Sequence, residues 1–135
     1  MEKEIEYLKN YISLQALRLK DPNFVSFNTE GNFNGKSIAP MLFIPFVENA
    51  FKHGLKKVKS PGIIILLSCT DQIITFSVSN KYSDSIETIK DKTSGIGLAN
   101  TKRRLELLYA EKYMLNINKQ DGLYTSHLEI KLQES

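Results

Sequence analysis

The chain has 135 residues, 41% of them hydrophobic, which suits one compact domain with a buried core and leaves too few residues for a second. The small net charge of +3 argues against a broad nucleic-acid-binding face, and the single cysteine, Cys69, excludes an internal disulfide and a cysteine-based metal cage. The longest aliphatic run, at 62–67, is far shorter than the ~20 apolar residues that span a bilayer. The charged start has no apolar signal segment, so a cytoplasmic location is expected.

Hydrophobic spacing divides the chain into short elements. The predicted elements are, in chain order, a helix at 2–20, a strand at 24–29, a helix at 41–53, strands at 63–70 and 73–80, a helix that opens at 95, and strands at 113–118 and 124–132. Pro45 should disturb the first turn of the second helix, and Gly54 is a natural residue to end it. The polar stretch 81–94 has no sustained period and is expected to be a mobile loop that closes as a lid.

Two strand pairs are joined by short turns at 71–72 and 120–122, which predicts hairpins. The βαβ alternation of a doubly wound parallel fold is missing. We therefore expect an α/β (α+β) two-layer sandwich, with a mixed, largely antiparallel sheet covered on one face by helices.

The second predicted helix carries a group of polar side chains within about one turn. Asn49 and His53 are four residues apart and share a face, and Glu48 and Lys52 form a second such pair beside it. Amide and carboxylate oxygens suit Mg²⁺, while a cation and an imidazole can contact phosphate. The same spacing also fits an ordinary helix with a solvated Glu–Lys pair.

The glycine-containing segment Ser94-Gly95-Ile96-Gly97-Leu98 comes between the polar loop and the third helix. Glycines at a helix N-terminus let backbone N–H groups approach a phosphate, although the pattern also fits a plain helix start. The segment lacks the third glycine of a dinucleotide-binding fingerprint and the Gly-Lys-Ser/Thr of a P-loop. Those two classes of nucleotide site are therefore excluded.

Asn80 is the polar residue that ends the apolar strand 73–80. A side-chain amide offers both a donor and an acceptor to a purine edge, and it equally suits a turn that ends a strand.

Taken together, these segments resemble a known family. Pro45-Phe46-Val47-Glu48-Asn49-Ala50-Phe51-Lys52-His53-Gly54 resembles the N box, and 95–109 the glycine-rich box, of LytS-type sensor histidine kinases in the GHKL ATPase superfamily. The order and separation of both motifs fit, and the resemblance covers nearly the whole chain. It implies the Bergerat-type ATP-binding fold, with residues 1–20 as a linker helix from a phosphoacceptor region upstream and 21–135 as the catalytic domain.

The resemblance also implies roles for individual residues. Asn49 would ligate the Mg²⁺ that bridges ATP phosphates, with Glu48 helping through the metal or its water, and Lys52 and His53 would face phosphates or ribose. The nucleotide would further contact Asn80, Gly95, Ile96, Gly97 and Leu98. Asn80 stands where the superfamily usually has an adenine-reading aspartate, and the accompanying glycines are missing. Pro45 stands where relatives carry a polar residue, so efficient ATP hydrolysis is not expected.

Neither His53 nor His127 has the Pro-His-Phe context of the family's phosphoacceptor. The resemblance therefore implies transfer of the γ-phosphate to a histidine on a separate domain of the same kinase, in a full-length homodimer that signals to a response regulator. Nucleic acid is not an expected partner, and membrane contact would come only through the upstream region. Two alternatives stay open: a degenerate GHKL module without kinase activity, and an anti-sigma-like serine kinase.

Overall fold

The structure is a computed structural model that describes residues 1–19, 21, 23–54, 60–82 and 98–132. Its elements are α1 (Glu2–Ala16), β1 (Val25–Gly31), α2 (Ile44–His53), β2 (Ile63–Thr70), β3 (Ile73–Lys81), β4 (Tyr113–Gln120) and β5 (Leu123–Lys131). Residues 98–109 are also helical and are called α3. The predicted lid at 81–94 lies outside the described residues apart from its first two positions. No helix of the described part combines the length and the apolar composition needed to cross a bilayer.

The five strands form one sheet in the order β1-β2-β3-β5-β4. The β1–β2 pair is parallel, and the other neighbouring pairs are antiparallel. Both predicted hairpins are present, and β5 lies between β3 and β4. The mixed, largely antiparallel sheet confirms the predicted fold class.

The core lies between one face of this sheet and the helices. Buried residues alternate with more exposed ones along β2, β3 and β5, as expected for a sheet with one covered face. Phe76 of β3 lies at the centre, where its ring stacks on Phe43 with 4.5 Å between centroids and Phe46 packs at 6.4 Å. Cys69 is 4% exposed and belongs to this core.

Helix α1 packs against the same core through Leu8 and Ile12. It ends at Ala16, earlier than the predicted residue 20, because the following turn tightens. Arg18 N–H donates to the Gln15 carbonyl and Leu19 N–H to the Ala16 carbonyl, which is 3₁₀ rather than α bonding. The predicted division between a linker helix and a catalytic domain stays a prediction.

Helix α2 begins at Ile44, three residues later than predicted, since Met41 has a φ of 66° that no right-handed helix accommodates. Pro45 lies in the first turn, where a missing N–H costs no helical hydrogen bond. Gly54 follows the helix with φ −70° and ψ 148°. Gly54 is thus extended, not left-handed as its position after the helix suggested. Its backbone angles are open to other residues, so the lack of a side chain, rather than the backbone conformation, distinguishes glycine at this position.

Candidate functional site

Helix α2 presents its polar residues on two different faces. Its apolar side is fixed by buried residues (Ile44, Phe46, Val47, Ala50 and Phe51). Asn49 and His53 lie at the edge of that buried side and are both half-buried, whereas Glu48 and Lys52 are exposed. The ring of Phe51 meets that of Tyr11 of α1 edge-on, at 6.2 Å between centroids. The core therefore sets the direction in which Asn49 and His53 point.

Glu48 lies on the side of α2 that is closer to α1. Burial raises the pKa of the Tyr11 hydroxyl, and the negative charge of Glu48 raises it further. The charge of Glu48 thus acts on a residue of α1, whereas Asn49 lies at the edge of the buried side of α2. The Asn49–His53 pair and the Glu48–Lys52 pair are thus distinct surfaces of one helix.

Asn80 meets the C-terminal end of α2. Its side chain is 2% exposed, and its Nδ2 donates a hydrogen bond to the Lys81 carbonyl at 3.2 Å. A Cβ on Gly54 would lie 3.3 Å from the Asn80 Cβ and 3.4 Å from its Nδ2, so glycine allows the helix end and the strand to approach closely. The structure thereby brings Asn80 next to the helix end that carries Lys52 and His53, although they are separated by 27 or more positions in the sequence.

The donor set fits a magnesium ion that keeps most of its shell outside the protein. Across the described residues, no group of three or more His, Cys, Asp or Glu side chains could hold a metal ion. Mg²⁺ bound with phosphates commonly takes one or two protein oxygens and completes its octahedron with phosphate and water. The amide oxygen of Asn49 is a donor of this kind.

The glycine-rich box, 95–109, is described from Leu98 onward. Gly95, Ile96 and Gly97 lie outside the described residues, and Leu98 is the first described residue of α3 and is half-buried. Leu105, two turns further along α3, is fully buried in the core. Helix α3 is therefore anchored to the same core as α2.

His127 does not join these residues. Its neighbours in β5, Ser126 and Leu128, are buried, so His127 lies on the sheet face opposite the helices. Its Nε2 lies 3.3 Å from the Glu129 carboxylate.

Three side chains that sequence patterns did not single out hold the turn before α2. The Tyr109 hydroxyl accepts a hydrogen bond from Ala39 N–H at 2.9 Å. Arg104 donates to the Pro40 and Met41 carbonyls at 2.8 and 3.4 Å, and Glu4 accepts from Met41 N–H at 3.2 Å. Both α3 residues lie inside the segment that resembles the glycine-rich box, but spacing along the chain carries no signal for contacts 63 to 70 residues away.

Sequence comparison finds sensor kinases among the relatives. The chain is 27% identical over 119 residues to sensor histidine kinase YpdA of Escherichia coli K12, covering 82% of this chain and 21% of that protein. It is 27% identical over 130 residues to sensor protein LytS of Staphylococcus saprophyticus, covering 87% of this chain and 22% of that protein. The chain thus spans about a fifth of the length of these curated relatives. No protein-family model matches it.

Solved structures of histidine kinases share the fold. A nucleotide-free form of the catalytic domain of histidine kinase ThkA superposes with a TM-score of 0.67 at 16% identity, covering 96% of this chain and 92% of that one. Histidine kinase AdeS of Acinetobacter baumannii gives a TM-score of 0.59 at 10% identity, covering 98% and 65%. The chain is therefore a relative of LytS-type sensor histidine kinases with the fold of a histidine kinase catalytic domain, which confirms the resemblance inferred from its two motifs.

Proposed function

We propose that the chain binds ATP with Mg²⁺ and presents the γ-phosphate to a histidine on a separate phosphoacceptor domain of a two-component sensor kinase. The observation that carries this proposal is the meeting of Asn80 with the end of α2, because it joins a potential base-reading amide to the helix that bears Asn49, Lys52 and His53. Sensor kinases among the relatives support the same reaction class.

Different side chains of the site would bind the metal ion, the phosphates or ribose, and the adenine. Asn49 would hold Mg²⁺ through its amide oxygen, and Glu48 would assist through the ion or its water. Lys52 and His53 would donate hydrogen bonds to phosphate or ribose oxygens. Asn80, whose Nδ2 is engaged by the Lys81 carbonyl, keeps Oδ1 as an acceptor for the exocyclic amine of adenine.

Phosphoryl transfer needs little covalent participation from a protein, since positioning and charge neutralisation carry most of the catalysis. The residues of this chain meet those two needs: the core fixes the angle of α2, and its last turn contributes positive charge through Lys52. Gly95, Ile96 and Gly97, together with Leu98, would also contact the nucleotide. We further propose that this part of the protein is cytoplasmic, that residues 1–20 lead from the phosphoacceptor region, and that the full-length homodimer passes the phosphoryl group to a response regulator.

The direct test is titration calorimetry of the protein with ATP, in the presence and absence of Mg²⁺, on wild type and Asn49→Ala. We expect magnesium-dependent binding that Asn49→Ala abolishes. Asn116→Ala is the matched control, because Asn116 is an exposed amide on β4 whose strand partner, His127, lies on the face opposite the helices.

Binding that is independent of Mg²⁺, or unchanged in Asn49→Ala, would remove Asn49 from the metal. An absence of binding at millimolar ATP would refute the nucleotide site of this chain. It would favour a degenerate module instead, an interpretation that the missing glycines after Asn80 also motivate.

A further inference from the structure

We infer that Glu4, Arg104 and Tyr109 are positioning residues that set helix α2, and with it Asn49, relative to helix α3. The three side chains bind the backbone of the turn 39–41, and we call this set of contacts the turn latch. The inference that the latch orders α2 rests on geometry alone, and its consequence for nucleotide binding rests on the proposed function.

Side chains of α1 and α3 bind the backbone of the turn 39–41. Met41 has a φ of 66°, a region that non-glycine residues rarely occupy and that persists only where the surroundings enforce it. The enforcing contacts come from two other elements. Glu4 of α1 accepts the Met41 N–H, Arg104 of α3 donates to the Pro40 and Met41 carbonyls, and the Tyr109 hydroxyl accepts the Ala39 N–H. Four polar backbone groups of a three-residue turn are thus held by side chains.

The turn 39–41 lies close to the start of α2, so its contacts bear on the position of that helix. Leu42 and Phe43, which follow it directly, are 0% and 1% exposed, and α2 begins at the next residue. Because only these two core residues separate the turn from α2, we expect a shift of the turn to reach the start of the helix through their packing. Asn49 is five residues into the helix from Ile44.

The other end of the latch belongs to α3, whose described part starts at Leu98, directly after Gly95-Ile96-Gly97 in the sequence. Arg104 and Tyr109 therefore tie the helix that follows one predicted phosphate-binding segment to the helix that carries the other. A site that binds phosphate through two segments needs a fixed separation between them, since small displacements of positioning groups lower the efficiency of a site strongly.

The first experiment measures hydrogen exchange of backbone amides in the ligand-free protein. Arg104→Gln replaces the guanidinium with a shorter, uncharged amide, and Tyr109→Phe removes the hydroxyl, while most of each side chain is kept. We expect exchange of the slow amides of α2 (Ile44–His53) to accelerate about tenfold, while the β2–β3 hairpin is nearly unchanged. The matched controls are Arg103→Gln, an exposed neighbour on α3, and Tyr113→Phe, which loses only a hydrogen bond to Glu106.

The second experiment measures the dissociation constant for ATP with and without Mg²⁺ in the same variants. Dividing the dissociation constant without Mg²⁺ by that with Mg²⁺ gives the gain in affinity from the metal. If the latch positions Asn49, this ratio falls by about three- to tenfold in Arg104→Gln and Tyr109→Phe and is unchanged in the controls. Arg104→Lys, which keeps one charged donor, should recover part of this ratio. A role in stability alone would lower the melting temperature and leave the ratio as it was.

The two experiments separate failure of the inference from failure of the proposed function. Unchanged exchange in α2, or equal acceleration throughout the sheet, would overturn the positioning role whatever the result with ATP. Faster exchange in α2 combined with no ATP binding by wild type would support the latch and refute the nucleotide site.

Discussion

Gly54 offers the sharpest test of how closely α2 approaches the sheet. In Gly54→Ala the added Cβ would lie 2.5 Å from the Ala50 carbonyl oxygen, well inside contact distance, and 3.3 Å from the Cβ of Asn80. The backbone angles of Gly54, φ −70° and ψ 148°, are open to alanine, so the substitution adds no dihedral strain. Its whole cost must come from crowding.

The magnitude follows from what has to move. The Ala50 carbonyl accepts the Gly54 N–H at 2.9 Å, so separating the new methyl group from that oxygen weakens the hydrogen bond that ends the helix. Overpacking of a well-packed site costs about 1–3 kcal/mol, and the hydrogen bond contributes about 0.5–1.5 kcal/mol. We therefore expect Gly54→Ala to lower the free energy of unfolding by about 2–4 kcal/mol.

Urea unfolding followed by circular dichroism measures this difference. Gly35→Ala is an informative control, since a Cβ there would meet nothing within 4 Å while φ is +72°, so its cost of about 1–2 kcal/mol reflects left-handed strain alone. Because Asn80 also borders the added methyl group, Gly54→Ala should weaken ATP binding, and Gly35→Ala should not. A smaller loss of stability in Gly54→Ala than in Gly35→Ala would refute the crowding argument.

Three further predictions concern the core and two titrating groups. Phe76→Ala removes a ring that is 1% exposed at the centre of the core and should cost about 3–5 kcal/mol in urea unfolding. Hydrogen bonds from the Ser60 hydroxyl, and secondly from a backbone N–H, hold the pKa of Asp21 below its usual value of 3.8. Ser60→Ala should therefore destabilise the protein near neutral pH, and this loss should shrink as the pH falls below 3.8 and the carboxylate becomes protonated. Burial, and secondly the charge of Glu48, raise the pKa of Tyr11 above 10.0. Glu48→Gln should therefore lower this pKa, which an NMR titration of the tyrosine rings would measure. The stability of the wild type should decline as the pH rises beyond 10.0, because ionisation of Tyr11 is less favourable in the folded protein.

Each of these predictions has a result that would contradict it. Leu17→Ala, at a site 81% exposed, should change stability by less than about 0.5 kcal/mol, so a cost equal to that of Phe76→Ala would contradict the assignment of the core. If Ser60→Ala lowers the free energy of unfolding by the same amount at every pH, the serine does not act through the charge of Asp21. An unchanged Tyr11 pKa in Glu48→Gln would place the carboxylate away from α1.

Elements whose signals are local can be predicted from the amino-acid sequence. The strand predicted at 63–70 has those same bounds as β2, because its apolar residues and the two-residue turn after it are encoded by neighbouring positions. Likewise, the four-residue spacing of Asn49 and His53 places both on a common helix face, whatever that helix packs against. The same reasoning missed the last residue of α1 and the first residue of α2, where the tight turn after Ala16 and the left-handed Met41 depend on contacts rather than on spacing.

Which distant groups meet depends instead on the tertiary structure. The fold inserts β5 between β3 and β4, makes β1 parallel to β2, brings Asn80 against Gly54, and binds the turn 39–41 to side chains of α1 and α3. Hydrophobic periodicity indicates which side of an element is buried, but not which other element covers it, because that choice depends on the joint packing of the core. The contacts that assemble the candidate site join residues distant in the sequence, so only the tertiary structure reveals them.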